Sequence, residues 1–293
     1  MSVIRMNVEY DADREECAGC GFDHELEPSE SFQQHALDGF ADHSTAEEFI
    51  KRLPNASVTL FVLDPPYFEI VAEEWDNQWT SKENYIHWMI GLLQSSIAKL
   101  KPNGSMLIFG GLGKHGSHPF WELCMAIEKQ TSLTYRNTIT WKKRRAYGKS
   151  HDYLFCREEI AWFSKSSERT EVVFNIPLLD VKRGYAGFNP KYPAKSEYKR
   201  VSNVWDDIPE LMRPARTCEK PEPLYDRLIA THSNETDLVV DLFLGTGNSG
   251  VSSLRQRRRF LGCDTDGLAT DVANKKFEAV ARDAKNSPEG SIE

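Results

Sequence analysis

The chain has 293 residues, 40% of them apolar and 27% charged, with a formal net charge of −8 and six cysteines. This composition excludes a disordered or collagen-like chain and leaves apolar material for one large α/β domain or two small ones. An acidic balance argues against indiscriminate coating of nucleic acid, although a local basic face remains compatible with it. No run reaches the ~20 apolar residues of a membrane span. The start, Met1-Ser2-Val3-Ile4-Arg5, has no signal-peptide core, and the scattered cysteines read as reduced thiols. A cytoplasmic, non-secreted protein without a membrane partner is the expectation.

Residues 1–31 form an acidic, irregular leader. Its Cys17-Ala18-Gly19-Cys20 is half of a zinc site, with only His24, His35 and His43 nearby. Zinc sites normally close with four ligands, so no metal is expected. Thr45-Ala46-Glu47-Glu48 is a capping box that opens a helix ending near Leu53-Pro54. Val58 to Leu63 then reads as a buried parallel strand, because it is apolar without alternation. Pro65 and Pro66 must end it, since proline cannot donate to a ladder. Asp64 and Tyr67 therefore sit at the carboxyl edge of a sheet, where open α/β folds bind ligands.

An acidic aromatic segment follows, whose Trp75 and Trp79 fit either a pocket lining or helix packing, with packing preferred. Thr80-Ser81-Lys82-Glu83 caps a long amphipathic helix with Tyr85, Trp88, Met89, Leu92, Leu93, Ile97 and Leu100 on its apolar stripe. Lys101-Pro102-Asn103-Gly104 is a predicted turn before the strand Ser105–Phe109. A helix near His118–Lys129 leads to short strands at Thr138–Trp141 and Glu159–Phe163. Lys142, Lys143, Arg144, Arg145 and Lys149 would mark the tip of the hairpin between them.

Over 165–216 the helical periodicity fades. Lys182, Arg183, Lys191, Lys195, Lys199 and Arg200 alternate with Tyr185, Phe188, Tyr192 and Tyr198, a pattern suited to phosphate and base contact. Lys220-Pro221 opens another helix, ending near Ser233-Asn234. The strand Asp237–Phe243 runs into Gly245-Thr246-Gly247-Asn248-Ser249-Gly250, and Arg259–Asp264 is a further strand that ends in an acid. Residues 286–293 read as a flexible tail.

Two clusters carry the chemistry. In Asp64-Pro65-Pro66-Tyr67 a carboxylate and a main-chain carbonyl freed by the prolines can accept from an amine, and a tyrosine face can stack a ring. The fit is to a planar heterocycle with an exocyclic amine. The glycine loop lets backbone approach a ligand and aims helix N–H groups at an anion, while Asp264 can take a ribose diol. That loop alone serves a nicotinamide dehydrogenase or a methyltransferase. A dehydrogenase would leave the tetrapeptide without a role.

The tetrapeptide is the active-site motif of amino-group nucleic-acid methyltransferases, and Asp241-x-Phe243-x-Gly245-x-Gly247 resembles their cofactor motif. With the tetrapeptide ahead of the glycine loop, the order resembles the circularly permuted β group of DNA amino-methyltransferases over roughly residues 50–280. Lys101–Gly104, Trp162-Phe163-Ser164-Lys165, Lys220-Pro221 and Arg258–Gly262 add to the likeness. The chain departs from it at Arg216-Thr217-Cys218-Glu219, where the family usually has His-Pro-Thr-Gln. An acid usual before the first helix has only Thr45, Asp38 or Asp42 to stand for it.

The resemblance implies an α/β fold: a seven-stranded, Rossmann-like, circularly permuted sheet with S-adenosylmethionine as cofactor. It implies a catalytic part at 32–164, a target-recognition region at 165–216 and a cofactor-binding part at 217–285. Asp64, Pro65, Pro66 and Tyr67 would be catalytic. Asp241, Phe243, Gly245, Thr246, Gly247, Asn248, Asp264 and Lys220 would bind cofactor. Lys142, Lys143, Arg144, Arg145, Lys191, Lys195 and Arg200 would bind double-stranded DNA. A homodimer and a cognate restriction endonuclease are further partners that the resemblance admits. The implied reaction is methylation of adenine N6, since serine usually leads the tetrapeptide in cytosine-N4 enzymes. N4-cytosine, RNA, and a catalytically silent DNA-binding protein are the alternatives.

Overall fold

The computed structural model describes residues 39–111, 118–148, 150–151, 153–182, 196–214 and 216–286. Phe40–His43 forms strand β1. Thr45 caps helix α1, Ala46–Arg52, and the reciprocal Thr45–Glu48 bonds of the predicted capping box are both present. Strand β2 is Val58–Leu63, buried at every position. Ser81 caps helix α2, Lys82–Lys99, which leads into β3, Leu100–Gly110. Helix α3 is Pro119–Gln130, followed by β4, Thr134–Tyr147, and β5, Phe155–Ser164. Then come the short strands β6, Leu178–Lys182, β7, Tyr198–Arg200, and β8, Val204–Trp205. The chain closes with α4 (Glu222–His232), β9 (Leu238–Asp241), α5 (Asn248–Arg255), β10 (Arg259–Asp264) and α6 (Gly267–Asn286).

The main sheet runs β1-β10-β9-β2-β3-β5-β4-β8. Strands β1, β10, β9, β2 and β3 are mutually parallel, and β5 inserts antiparallel between β3 and β4. Among the described residues this sheet has eight strands where seven are expected, the two-residue β8 being added at the edge. Alternation along the strands feeds two cores. Phe61, Leu63, Met106 and Ile108 meet Phe49, Met89, Leu93 and Leu123 of α1–α3 on one face. Leu60, Val62, Leu107 and Phe109 meet Leu224, Leu228, Val251 and Phe277 of α4–α6 on the other. With helices on both faces, the central strands bury both sets of side chains, which is why β2 is mostly apolar and shows no alternation in sequence.

Several elements differ from expectation. Lys101–Gly104 is an irregularity inside β3 rather than a turn before it: Val58 pairs with Leu100, and Leu60 already pairs with Ser105. The basic run Lys142–Arg145 lies within β4, so the hairpin extends past it and the run is not its tip. Strand β1 and helix α6 have no sequence-based counterpart. Four residues with Asp42 and His43 among them carry little strand signal, and the buried stripe of α6 includes two alanines, Ala269 and Ala273. Asp42, weighed as a motif acid, is ion-paired with Arg52. Within 165–216, the described Val204–Trp205 joins the sheet edge as β8. Trp205 pairs alongside Trp141, and the Trp141 indole donates to the Ile208 carbonyl at 2.8 Å.

Candidate active site

Three neighbouring parallel strands end in acids on the same edge of the sheet. Asp64 follows β2, Asp241 ends β9 and Asp264 ends β10. Because β5 runs antiparallel, its amino-terminal half reaches that edge, and Glu159 pairs opposite Gly110. Glu158 thereby arrives beside Asp64, a neighbour that only the sheet order creates.

A set of charges, centred on the buried Lys220 and otherwise half-buried, surrounds Asp64. The Tyr67 hydroxyl donates to Asp64 Oδ1 at 2.6 Å, and the Lys220 ammonium donates to Asp64 Oδ2 at 2.7 Å. Glu158 Oε2 lies 3.3 Å from both donors, and its Oε1 is paired with Lys143. The Lys220 side chain is only 2% exposed, its ammonium over the rings of Tyr67 and Phe109. Burial pushes the Asp64 carboxyl above its ordinary value, against the pull of Lys220. Burial also acts to raise Glu158, but the Lys220 and Lys143 ammoniums outweigh it and hold that carboxyl below the usual range. Lys220 is held well above an ordinary lysine, because its two carboxylates outweigh the desolvation that acts against its charge. The group is thus two carboxylates and two ammoniums, neutral as a set.

The segment after Tyr67 is organised by Asp76, 1% exposed. Its carboxylate accepts the main-chain N–H groups of Tyr67, Phe68, Ile70 and Val71. Those bonds hold Phe68 and Glu69 at φ +66° and +57°, a left-handed pair without glycine. Trp75 lines the cavity in front of Asp64, the less preferred of its two readings. Trp79 does pack, against Tyr85 and Trp88.

That cavity, of about 330 Å³, joins Asp64 and Pro66 at one end to the glycine loop and Asp264 at the other. Phe243, Gly245, Thr246, Asn248, Asp264 and Lys220 line it. Asp241 and Gly247 stand behind the wall. Asp241 accepts the Phe243 N–H at 2.9 Å and the Ser249 hydroxyl at 2.6 Å, pinning both ends of the loop, and burial pushes its carboxyl up to about 7. Gly247, at φ +82°, packs so closely on α6 that a Cβ there would lie 2.7 Å from Ala273 Cβ. Asp264 accepts the Gly245 N–H at 2.7 Å. Glu219 accepts from Thr246 and Asn248, and the buried Arg216 Nη1 has no hydrogen-bond partner at the cavity wall.

The basic residues separate along β4. Lys143 turns inward to Glu158, whereas Lys142 and Arg144 are exposed. Arg145 donates to the Met212 carbonyl at 2.9 Å, and Glu210 accepts the Arg144 and Arg145 N–H groups. Arg200 is exposed on β7. Lys149, Lys191, Lys195, Arg183, Tyr185, Phe188 and Tyr192 lie outside the described residues, as do Asp38, Cys17 and Cys20. Sequence reasoning missed Glu158 and Asp76. The available signal for Glu158 was a pair of glutamates running straight into an apolar strand. For Asp76 it was an acid amid the tryptophans following a double proline.

The DNA methylase family of the N6/N4 type matches residues 58–275. Type II methyltransferase M2.DpnII of Streptococcus pneumoniae is 27% identical over 263 residues, covering 81% of this chain and 88% of that protein. DNA adenine methyltransferase YhdJ of Escherichia coli (strain K12) is 26% identical over 255 residues, covering 82% of each. Among solved structures, PvuII DNA methyltransferase (cytosine-N4-specific) is similar with a TM-score of 0.63 at 16% identity, covering 85% of this chain and 93% of that one.

Proposed function

The chain belongs to the N6/N4 family of DNA methylases and is a DNA amino-methyltransferase; from that premise we propose that its target is the N6 amine of adenine. The observation that carries the choice is Asp64, a half-buried carboxylate at the head of the tetrapeptide whose two oxygens both act as acceptors. The name of the Escherichia coli relative, an adenine methyltransferase, supports the same reading.

S-adenosylmethionine is the methyl donor, and the residues present fit it. The cavity has the size of a small-ligand site. At Gly245, φ +54°, an added Cβ would meet nothing within 4 Å, so bare backbone faces open space there. Asp264 offers acceptors for a ribose diol, and Arg216 carries a donor without a partner for a carboxylate. Phe243, Thr246, Asn248 and Lys220 complete the proposed binding set, with Asp241 and Gly247 acting through the shape of the loop. When bound, the cofactor supplies an electrophilic methyl group on a sulfonium.

The chain's own residues then act by positioning. A base within a duplex is out of reach, so the adenine must swing out into the site. Tyr67 gives it a ring face. Asp64 and the Pro65 carbonyl accept its amine hydrogens and direct the nitrogen lone pair toward the methyl group, where orientation supplies much of the acceleration. Pro66 lines the cavity beside them. Lys142, Arg144 and Arg200 are the described basic residues proposed to meet phosphates. Residues 165–216 are proposed to read the target sequence, on a methyltransferase domain built from 32–164 and 217–285.

The test is incubation with methyl-labelled S-adenosylmethionine and unmethylated genomic DNA, followed by nucleoside mass spectrometry. N6-methyladenine is expected, and Asp64→Ala should remove it while S-adenosylmethionine still binds. N4-methylcytosine alone would overturn the adenine assignment and keep the mechanism.

A further inference from the structure

Asp64 has to accept the target amine, yet each of its oxygens already holds a donor. Tyr67 sits on Oδ1 at 2.6 Å and Lys220 on Oδ2 at 2.7 Å. A carboxylate oxygen can take a second donor, but an ammonium fixed on it weakens it as an acceptor and fills one approach. A second carboxylate is within reach of both donors. Glu158 Oε2 lies 3.3 Å from the Tyr67 hydroxyl and 3.3 Å from the Lys220 ammonium, and its side chain is 12% exposed.

We propose that Glu158 is the positioning residue that takes the Lys220 ammonium and the Tyr67 hydroxyl off Asp64 when the target amine arrives. This rests on the reading of Asp64 as the amine's acceptor. Each donor needs to move by roughly half an ångström to reach ordinary hydrogen-bond length. The exchange leaves the net charge unchanged, because Asp64 and Glu158 are balanced by Lys220 and Lys143 throughout. Lys143 holds the other Glu158 oxygen, so the carboxylate is already turned with Oε2 toward the pair. Without Glu158, the described partners left to the ammonium are Asp64 itself and the Cys218 carbonyl at 3.2 Å. Glu158 makes no contact with the amine and acts only through these two donors.

The experiment compares the wild type with Glu158→Gln, Lys220→Met and the double variant. Labelled methyl transfer to unmethylated DNA is read in single turnover, and the melting temperature is read without cofactor or DNA. Glu158→Gln leaves one surplus positive charge on the set and only a neutral amide oxygen, beside the Cys218 carbonyl, to draw Lys220 from Asp64. Transfer should fall by roughly 30-fold or more. Lys220→Met leaves one surplus negative charge. The double variant is neutral again and frees Asp64, so it should exceed both single variants in rate and melt above Glu158→Gln. A part that merely filled space would not be rescued by removing a second residue. A double variant no faster than the slower single one, or a Glu158→Gln enzyme within threefold of the wild type, would overturn the inference. A wild type that methylates no deoxynucleoside while binding S-adenosylmethionine counts against the amine-methylation reading. In that case the melting temperatures still decide the charge pairing: a double variant melting no higher than Glu158→Gln rejects it.

Discussion

Replacing Asp76 with asparagine separates the loop that begins at Tyr67 from the rest of the fold. The carboxylate accepts four main-chain N–H groups, two on Oδ1 at 2.6 and 2.9 Å and two on Oδ2 at 2.6 and 2.8 Å. Asparagine keeps one acceptor oxygen and turns an NH₂ toward the other pair of donors. Two hydrogen bonds to a charged group, at ~1.5–3 kcal/mol each, are lost, or roughly 3–6 kcal/mol together. Against this, the left-handed geometry of Phe68 and Glu69 stores ~1–2 kcal/mol per residue. The loss is as large as the strain the carboxylate restrains, so the loop should relax locally while both cores keep their packing. Hydrogen exchange at the Tyr67, Phe68, Ile70 and Val71 amides should accelerate. Methyl transfer should fall by about a hundredfold, because Tyr67 is no longer held in place. The affinity for S-adenosylmethionine should stay within about threefold, and the melting temperature should drop by no more than about 5 °C. Unchanged exchange at the four amides together with near-normal transfer would refute the reasoning.

Other expectations are more local. His232, packed against Trp162 and Phe174, is pushed down to about 3 by burial, so it stays neutral in the fold and takes up a proton on unfolding. Its share of stability, up to roughly 4 kcal/mol, is therefore lost as pH falls from 6.5 toward 3, and His232→Phe should flatten that limb of a denaturation-against-pH curve. Asp241 has the opposite sign. Its carboxyl is raised to about 7, so the wild type should lose stability relative to Asp241→Asn as pH rises from about 4 to 7, read by urea melts at fixed pH values. Lys142→Ala combined with Arg144→Ala should weaken DNA binding and lower the slope of log affinity against log salt by about two, whereas an unaltered slope would remove β4 from the phosphate interface.

Local chemistry made much of this protein legible in one dimension. The run Val58–Leu63 could only be a strand buried on both faces, and the two prolines could only end it, so Asp64 belonged at a sheet edge whatever the topology. The Thr45–Glu48 box and the glycine loop were equally readable, because capping and positive φ depend on near neighbours. Tertiary structure alone decided what those pieces meet. Glu158 reaches Asp64 because β5, the return strand of the expected hairpin, inserts between β3 and β4, and strand order leaves no mark on local composition. Lys143 turns inward while Lys142 turns out, since the pleat, and not the basic run, sets which face a side chain takes. Asp241 looks like a ligand contact in sequence but holds the loop from behind, because its neighbours Phe243 and Ser249 claim it first. Sequence specifies backbone conformation through contacts a few residues long. The site's charges are paired by tertiary packing, which brings together residues separated by as many as 156 positions, as in Asp64 and Lys220.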